Sequence, residues 1–77
     1  MSNQLDRISI NPDICLGQPT IRGMRITVAF VLKLLASQLS VAEILESYPE
    51  LEQEDIQQSL NYAAWAVSER LIQTTSA

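Results

Sequence analysis

Two arginines on one short loop are the most chemically suggestive residues of this chain. Residues 17–28 read GQPTIRGMRITV, placing Arg22 and Arg25 on either side of Gly23 and Met24. Gly23 suits a turn that needs positive φ. Pro19 fixes its own φ and holds Gln18 extended. Thr20 and Ile21 favour a short pleated strand, and Thr27 is a good N-cap for a following helix. The run therefore offers two cations between a strand and a helix, suited to gripping an anion or a partner. Its plainer use is as a connector that caps the helix.

Other chemistry is sparse. The chain contains no histidine and one cysteine, Cys15. Histidine-based catalysis and histidine metal ligation are therefore out, and Cys15 reads as a small buried apolar residue. Glu52, Glu54 and Asp55 are the only dense acidic group. They open a helix, where the macrodipole favours negative charge, and that accounts for them without a metal. There is no phosphate loop and no hydrolase elbow. The expectation is a non-enzyme, with no catalytic residues, no metal and no cofactor.

The 77 residues suggest a single domain over 1–77 whose small core would benefit from oligomerisation. At 47% hydrophobic the chain is too apolar to be disordered. Its longest apolar run, Ile26 to Leu35, is interrupted by Thr27 and Lys33 and is too short for a bilayer. A polar start, no visible signal peptide and no cysteine pair point to the cytoplasm and away from membranes. The net charge of −4 argues mildly against nucleic acid. Its distribution is uneven. Residues 1–33 set four cations against two acids, whereas residues 34–77 set Arg70 against seven acids. Such asymmetry fits either two contact surfaces or a solvated acidic helical face.

The elements that must position these groups follow from periodicity. Met1 to Asp6 is polar and reads as loose. Residues 7–10 alternate like a half-buried strand. Asn11-Pro12-Asp13 marks a turn, and residues 7–21 form a hairpin-like unit that needs something to lie against. The first helix runs from Thr27 to about Ala36. Val28, Phe30, Val31, Leu32, Leu34 and Leu35 make it apolar on nearly every side, so it belongs at the centre of the core.

Ser40 and Glu43 form a capping box for a second helix that Pro49 ends near Ser47. Val41, Ile44, Leu45 and Tyr48 give that helix one apolar stripe, and Leu51 tucks under the next turn. The third helix starts near Gln53 and reaches about Leu71 or Ile72. Its stripe is Ile56, Leu60, Ala63, Ala64, Val67 and Leu71. Trp65 falls opposite, flanked by Gln58, Tyr62, Glu69 and Ile72. A tryptophan off the core stripe of so small a domain must be covered by the hairpin or by a second chain. Tyr62 and Trp65 are therefore the expected dimer or partner interface. Residues after Gln73 read as a frayed tail.

The second and third helices outline a helix-turn-helix. The acids that open the third helix would repel phosphates, so any DNA contact is expected from Arg7, Arg22, Gly23 and Arg25 instead.

The run from Arg7-Ile8 through Asn11-Pro12-Asp13-Ile14-Cys15-Leu16-Gly17-Gln18-Pro19-Thr20-Ile21-Arg22-Gly23-Met24-Arg25-Ile26-Thr27-Val28 resembles domain-of-unknown-function family 433. So do Ser40-Val41-Ala42-Glu43-Ile44-Leu45, Tyr48-Pro49-Glu50-Leu51, Asp55-Ile56 and Leu60-Asn61-Tyr62-Ala63. The likeness spans about residues 7 to 65. Met24 stands where that family often has Thr, and Gln38 where it often has Gly. The resemblance implies a mainly α, homeodomain-like helix-turn-helix bundle of three helices (27–72) behind a short N-terminal β-hairpin arm (7–26).

It also implies an antitoxin-like regulator that neutralises a PIN-type nuclease toxin, with repression of its operon as an additional role. The expected partners are a second copy in a homodimer, the toxin and, where it acts as a repressor, operator DNA. The alternative is a protein-interaction and dimerisation module that binds no DNA.

Overall fold

The computed structural model describes residues 5–75, with side chains as far as Ser68. Expectations for residues 1–4, for residues 76–77 and for the Leu71 end of the third helix's stripe lie outside the described residues. Strand β1 (Ile8–Ser9) pairs antiparallel with β2 (Thr20–Ile21), Ile8 opposite Ile21. Three helices follow: α1 (Val28–Ala36), α2 (Val41–Ser47) and α3 (Gln53–Thr75). The protein is thus mainly helical, with a small two-stranded sheet near its N-terminus. α3 runs on past the end expected near Leu71 or Ile72.

Local chemistry explains each boundary. Thr27 caps α1 by accepting from the Phe30 N–H at 3.0 Å. Ser40 and Glu43 make both bonds of a capping box on α2. α1 ends in a Schellman arrangement. The Leu39 N–H reaches the Leu34 carbonyl, the Gln38 N–H reaches that of Leu35, and Gln38 takes φ 73° where glycine is the usual choice. Between β2 and α1 the chain turns through Arg22 (φ 49°) and Gly23 (φ 74°), closed by Met24 N–H to Ile21 carbonyl at 2.8 Å. Positive φ at both central positions is the type I′ hairpin pattern.

The core gathers Ile21, Val28, Val31, Ile44, Leu51 and Ile56 from every layer of the fold. Two details differ from the hydrophobic pattern. First, α1 is not enclosed on all sides. Val28 and Val31 are buried, while Leu32, Leu34 and Leu35 are half-buried and Phe30 lies edge-on to Tyr48 at its outer surface. The other elements are too few to cover every side of an apolar helix.

Second, the buried face of α3 is rotated from the expected stripe. Asp55, Ile56, Gln58 and Ser59 are buried, whereas Leu60, Ala64 and Val67 are exposed. Gln58 and Tyr62, expected beside Trp65 on the far side, are respectively buried and half-buried. Among the described residues no helix is long and apolar enough to cross a membrane.

Candidate functional site

The arginine loop does hold an anion, and the anion belongs to the chain itself. Asp55 has no exposed surface. Its carboxylate accepts from Arg22 Nε at 3.1 Å and Nη2 at 2.8 Å, and from Arg7 Nη1 at 3.0 Å. It also accepts the Glu52 backbone N–H at 2.8 Å, the reach-back bond of a capping box at the start of α3.

Arg7 Nη1 donates further to Glu52 at 2.6 Å, and Arg22 Nη2 to the Glu50 carbonyl at 2.8 Å. Gln58, one turn along α3, accepts the Arg7 backbone N–H and donates to Asp6, both at 2.8 Å. The first turns of α3 thereby hold the β arm at both strands. Among the described residues no buried side-chain polar atom lacks a partner.

The electrostatics follow from this geometry. Burial alone would push the Asp55 carboxyl up, but the bonds from Arg22, Glu52 N–H and Arg7 outweigh it and hold the group below the usual carboxylate range. The hydrogen bonds from Arg7 to Glu52 and Asp55, and from Arg22 to Asp55, raise both guanidinium groups further above their ordinary value. Asp55 looked like one helix-opening acid among three. The signal that marks it out is its register, on the same face as Ile56 and Ser59, where a lone carboxylate must be paired.

Of the residues expected to face DNA, Arg7 and Arg22 are thus engaged internally. Gly23 and Arg25 are exposed, and Arg25 pairs with no carboxylate among the described residues. Glu52 and Asp55 meet Arg7, and Glu54 lies 3.3 Å from Gln58. Among the described residues no cluster of three His, Cys, Asp or Glu could hold a metal.

A second feature is apolar. The 23 residues of α3 span ~34 Å, whereas the nine of α1 span ~13 Å. The buried face of α3 continues beyond Ser59 as Tyr62, Ala63 and Ala66 and leaves a cavity of about 340 Å³. Pro19, Val28, Ala29 and Leu32 line one side, and Tyr62, Ala63, Ala66 and Val67 the other. Trp65 packs on Tyr62 with ring centroids 6.0 Å apart and remains 55% exposed. The arm does not cover it. Of the expected interface pair, Tyr62 lines this cavity and Trp65 does not, touching it only through Tyr62.

The loop between β1 and β2 adds an outward-facing residue. Cys15 (φ 51°), Leu16 (φ 59°) and Gly17 (φ 81°) all take left-handed angles. That region costs a non-glycine residue roughly 1–2 kcal/mol. Bonds from Gly17 N–H to Ile14 carbonyl and from Gln18 N–H to Cys15 carbonyl hold the turn. Cys15 is half-buried rather than enclosed, with Sγ 3.7 Å from the Arg25 carbonyl. Leu16 is turned outward and is 93% exposed. Its sequence neighbourhood gave no warning, because nothing in the local periodicity marks a left-handed leucine.

The sequence pattern described as "Protein of unknown function (DUF433)" matches residues 8–63. The crystal structure of a DUF433 member protein from Anabaena variabilis ATCC 29413 is similar in fold. Its TM-score is 0.76 at 28% identity, over 94% of this chain and 70% of that one. No curated protein matches the chain.

Proposed function

This chain belongs to the DUF433 family, proteins of unknown function, and we propose that it is a non-catalytic protein-interaction and dimerisation module. The observation that carries this reading is the apolar cavity between α1 and α3, lined by Tyr62, on which the exposed Trp65 packs. An open apolar cavity lined mostly by small and medium side chains on a small domain fits a docking surface. Among the described residues the three ion pairs all lie in the one contact of Arg7 and Arg22 with Glu52 and Asp55, which leaves little of it for catalysis.

A second reading is the antitoxin-like regulator that neutralises a PIN-type nuclease toxin and binds operator DNA. The family resemblance, the succession α2–turn–α3 and the exposure of Arg25 favour it. In that reading the phosphate contact falls to Arg25 on the Gly23 turn, because Arg7 and Arg22 would have to leave Asp55 to reach one. Both readings place the protein in the cytoplasm.

The test is to fill the cavity. Ala66→Trp and wild type are compared by light scattering alone, and by calorimetric titration with the product of the adjacent gene. The protein-docking reading predicts that the variant stays folded and loses whichever complex the wild type makes. A variant that keeps every complex contradicts it.

A further inference from the structure

We propose that the cavity between α1 and α3 is filled by Leu16 of a second copy of the chain. The proposal rests on the protein-docking reading above and names the occupant. Leu16 is 93% exposed and takes a left-handed angle, whereas its neighbour Cys15 is half-buried against the Arg25 carbonyl. A backbone held in an unfavourable region to present one apolar side chain to solvent is a device that gains its return on binding.

The receptor fits the ligand. Every residue lining the cavity is apolar or aromatic, and its volume is about 340 Å³. A cavity of roughly 150 Å³ already accepts a benzene ring, so leucine enters with room for a neighbouring side chain.

The placement suits a second copy. Pro19, on the cavity lip, is three residues from Leu16, so knob and cavity lie within ~10 Å along the chain. One patch bearing both is self-complementary. Around a two-fold axis each chain gives its knob and receives the other. The area is of the right order. Leu16, Trp65 and Val67 are 93%, 55% and 53% exposed. With the cavity lining they offer on the order of 500 Å², more than half of the ~800 Å² that each partner commits to a stable interface.

The experiment measures the mass of the full chain by sedimentation velocity and light scattering from low to high micromolar, for wild type, Leu16→Asp, Ala66→Trp and an equimolar mixture of the two variants. Wild type is expected to be a dimer. Leu16→Asp is expected to weaken association about tenfold or more, with a thermal midpoint below that of wild type at high concentration and equal to it on dilution, because only the stabilisation from the second copy is lost. Ala66→Trp is expected to do the same by blocking the cavity.

The mixture is expected to dimerise better than either variant alone, because the mixed pair keeps one intact knob and one intact cavity. A monomeric wild type, an undisturbed Leu16→Asp dimer, or a mixture no better than its components overturns the proposal. An undisturbed Leu16→Asp dimer that Ala66→Trp still breaks leaves the docking reading standing with another segment as occupant. An Ala66→Trp protein that keeps every complex removes both.

Discussion

Arg22 and Asp55 are 33 positions apart, yet the guanidinium of one holds both carboxylate oxygens of the other, Nε at 3.1 Å and Nη2 at 2.8 Å. A two-point contact of this kind fixes orientation as well as distance. It sets the β2 turn against the first turn of α3, and Arg7 adds β1 to the same carboxylate at 3.0 Å. Two of the four front cations and two of the back acids, Arg7, Arg22, Glu52 and Asp55, are therefore joined in one internal contact. An apolar cavity between α1 and α3 lies apart from that contact.

Asp55→Asn keeps the shape and removes the charge. It should cost about 1–3 kcal/mol in denaturant unfolding, because donors aimed at a carboxylate lose their best acceptor. The pH dependence has a definite sign. The folded-state pKa of Asp55 is depressed, so its stabilisation is full above the unfolded value of about 3.9 and is lost as pH falls through the folded one. With no histidine in the chain, stability should be nearly flat from pH 8 to 5 and fall below about pH 4. Unfolding curves across that range should show a shallower acid slope in Asp55→Asn. An identical slope would place the acid sensitivity elsewhere.

Gln38→Gly should stabilise the protein by about half a kcal/mol. Gln38 occupies the left-handed position after α1, where glycine avoids the Cβ penalty but gives part of the gain back through unfolded-state freedom. Chemical denaturation checks this, and a loss of stability would mean that the Gln38 side chain makes a contact worth more than its strain.

Gly23→Ala should cost about 1 kcal/mol. A Cβ there meets nothing within 4 Å, so the cost is conformational only, from φ +74°. Denaturant unfolding measures it. A loss several times larger would mean that the turn carrying Arg22 is displaced and the Asp55 contact broken with it.

Much of the fold was legible because short-range chemistry controls it. Thr27, the Ser40–Glu43 box, Pro49 and the Gly23 turn act within three or four residues, and the elements begin and end where they say. The face of α3 was not legible in the same way. Hydrophobicity selected Leu60 and Val67, but Asp55 and Ser59 are buried in their place, because two arginines distant in sequence neutralise Asp55 and the Ser59 hydroxyl bonds the Asp55 carbonyl at 2.9 Å. Partners from another element are invisible to a periodicity confined to one helix.

The site divided along the same line. Trp65 falls off the core stripe in sequence and is 55% exposed, whereas Tyr62, expected on the same far side, is half-buried toward α1. The inward aim of Arg7 and Arg22 depended on tertiary pairing, and the outward turn of Leu16 on backbone angles that its residue type disfavours.

If operator DNA is bound, Arg25→Ala should weaken binding and reduce the salt slope by roughly one unit per chain. Arg22→Ala should lower stability and leave that slope alone. Fluorescence anisotropy over a salt series, run beside unfolding curves, separates the two. A slope reduced equally by both substitutions would mean that Arg22 leaves Asp55 to meet phosphate.

The most direct test of the docking surface is the emission of Trp65, the single tryptophan of the chain, on dilution. It is 55% exposed in the monomer and packs on Tyr62, which lines the cavity, so a second copy seated there shields it from water. Emission is expected to move to longer wavelength as wild type is diluted from high to low micromolar, and to sit at the long-wavelength limit throughout in Leu16→Asp. An emission maximum independent of concentration, in a wild-type chain that scatters light as a monomer, would contradict the account.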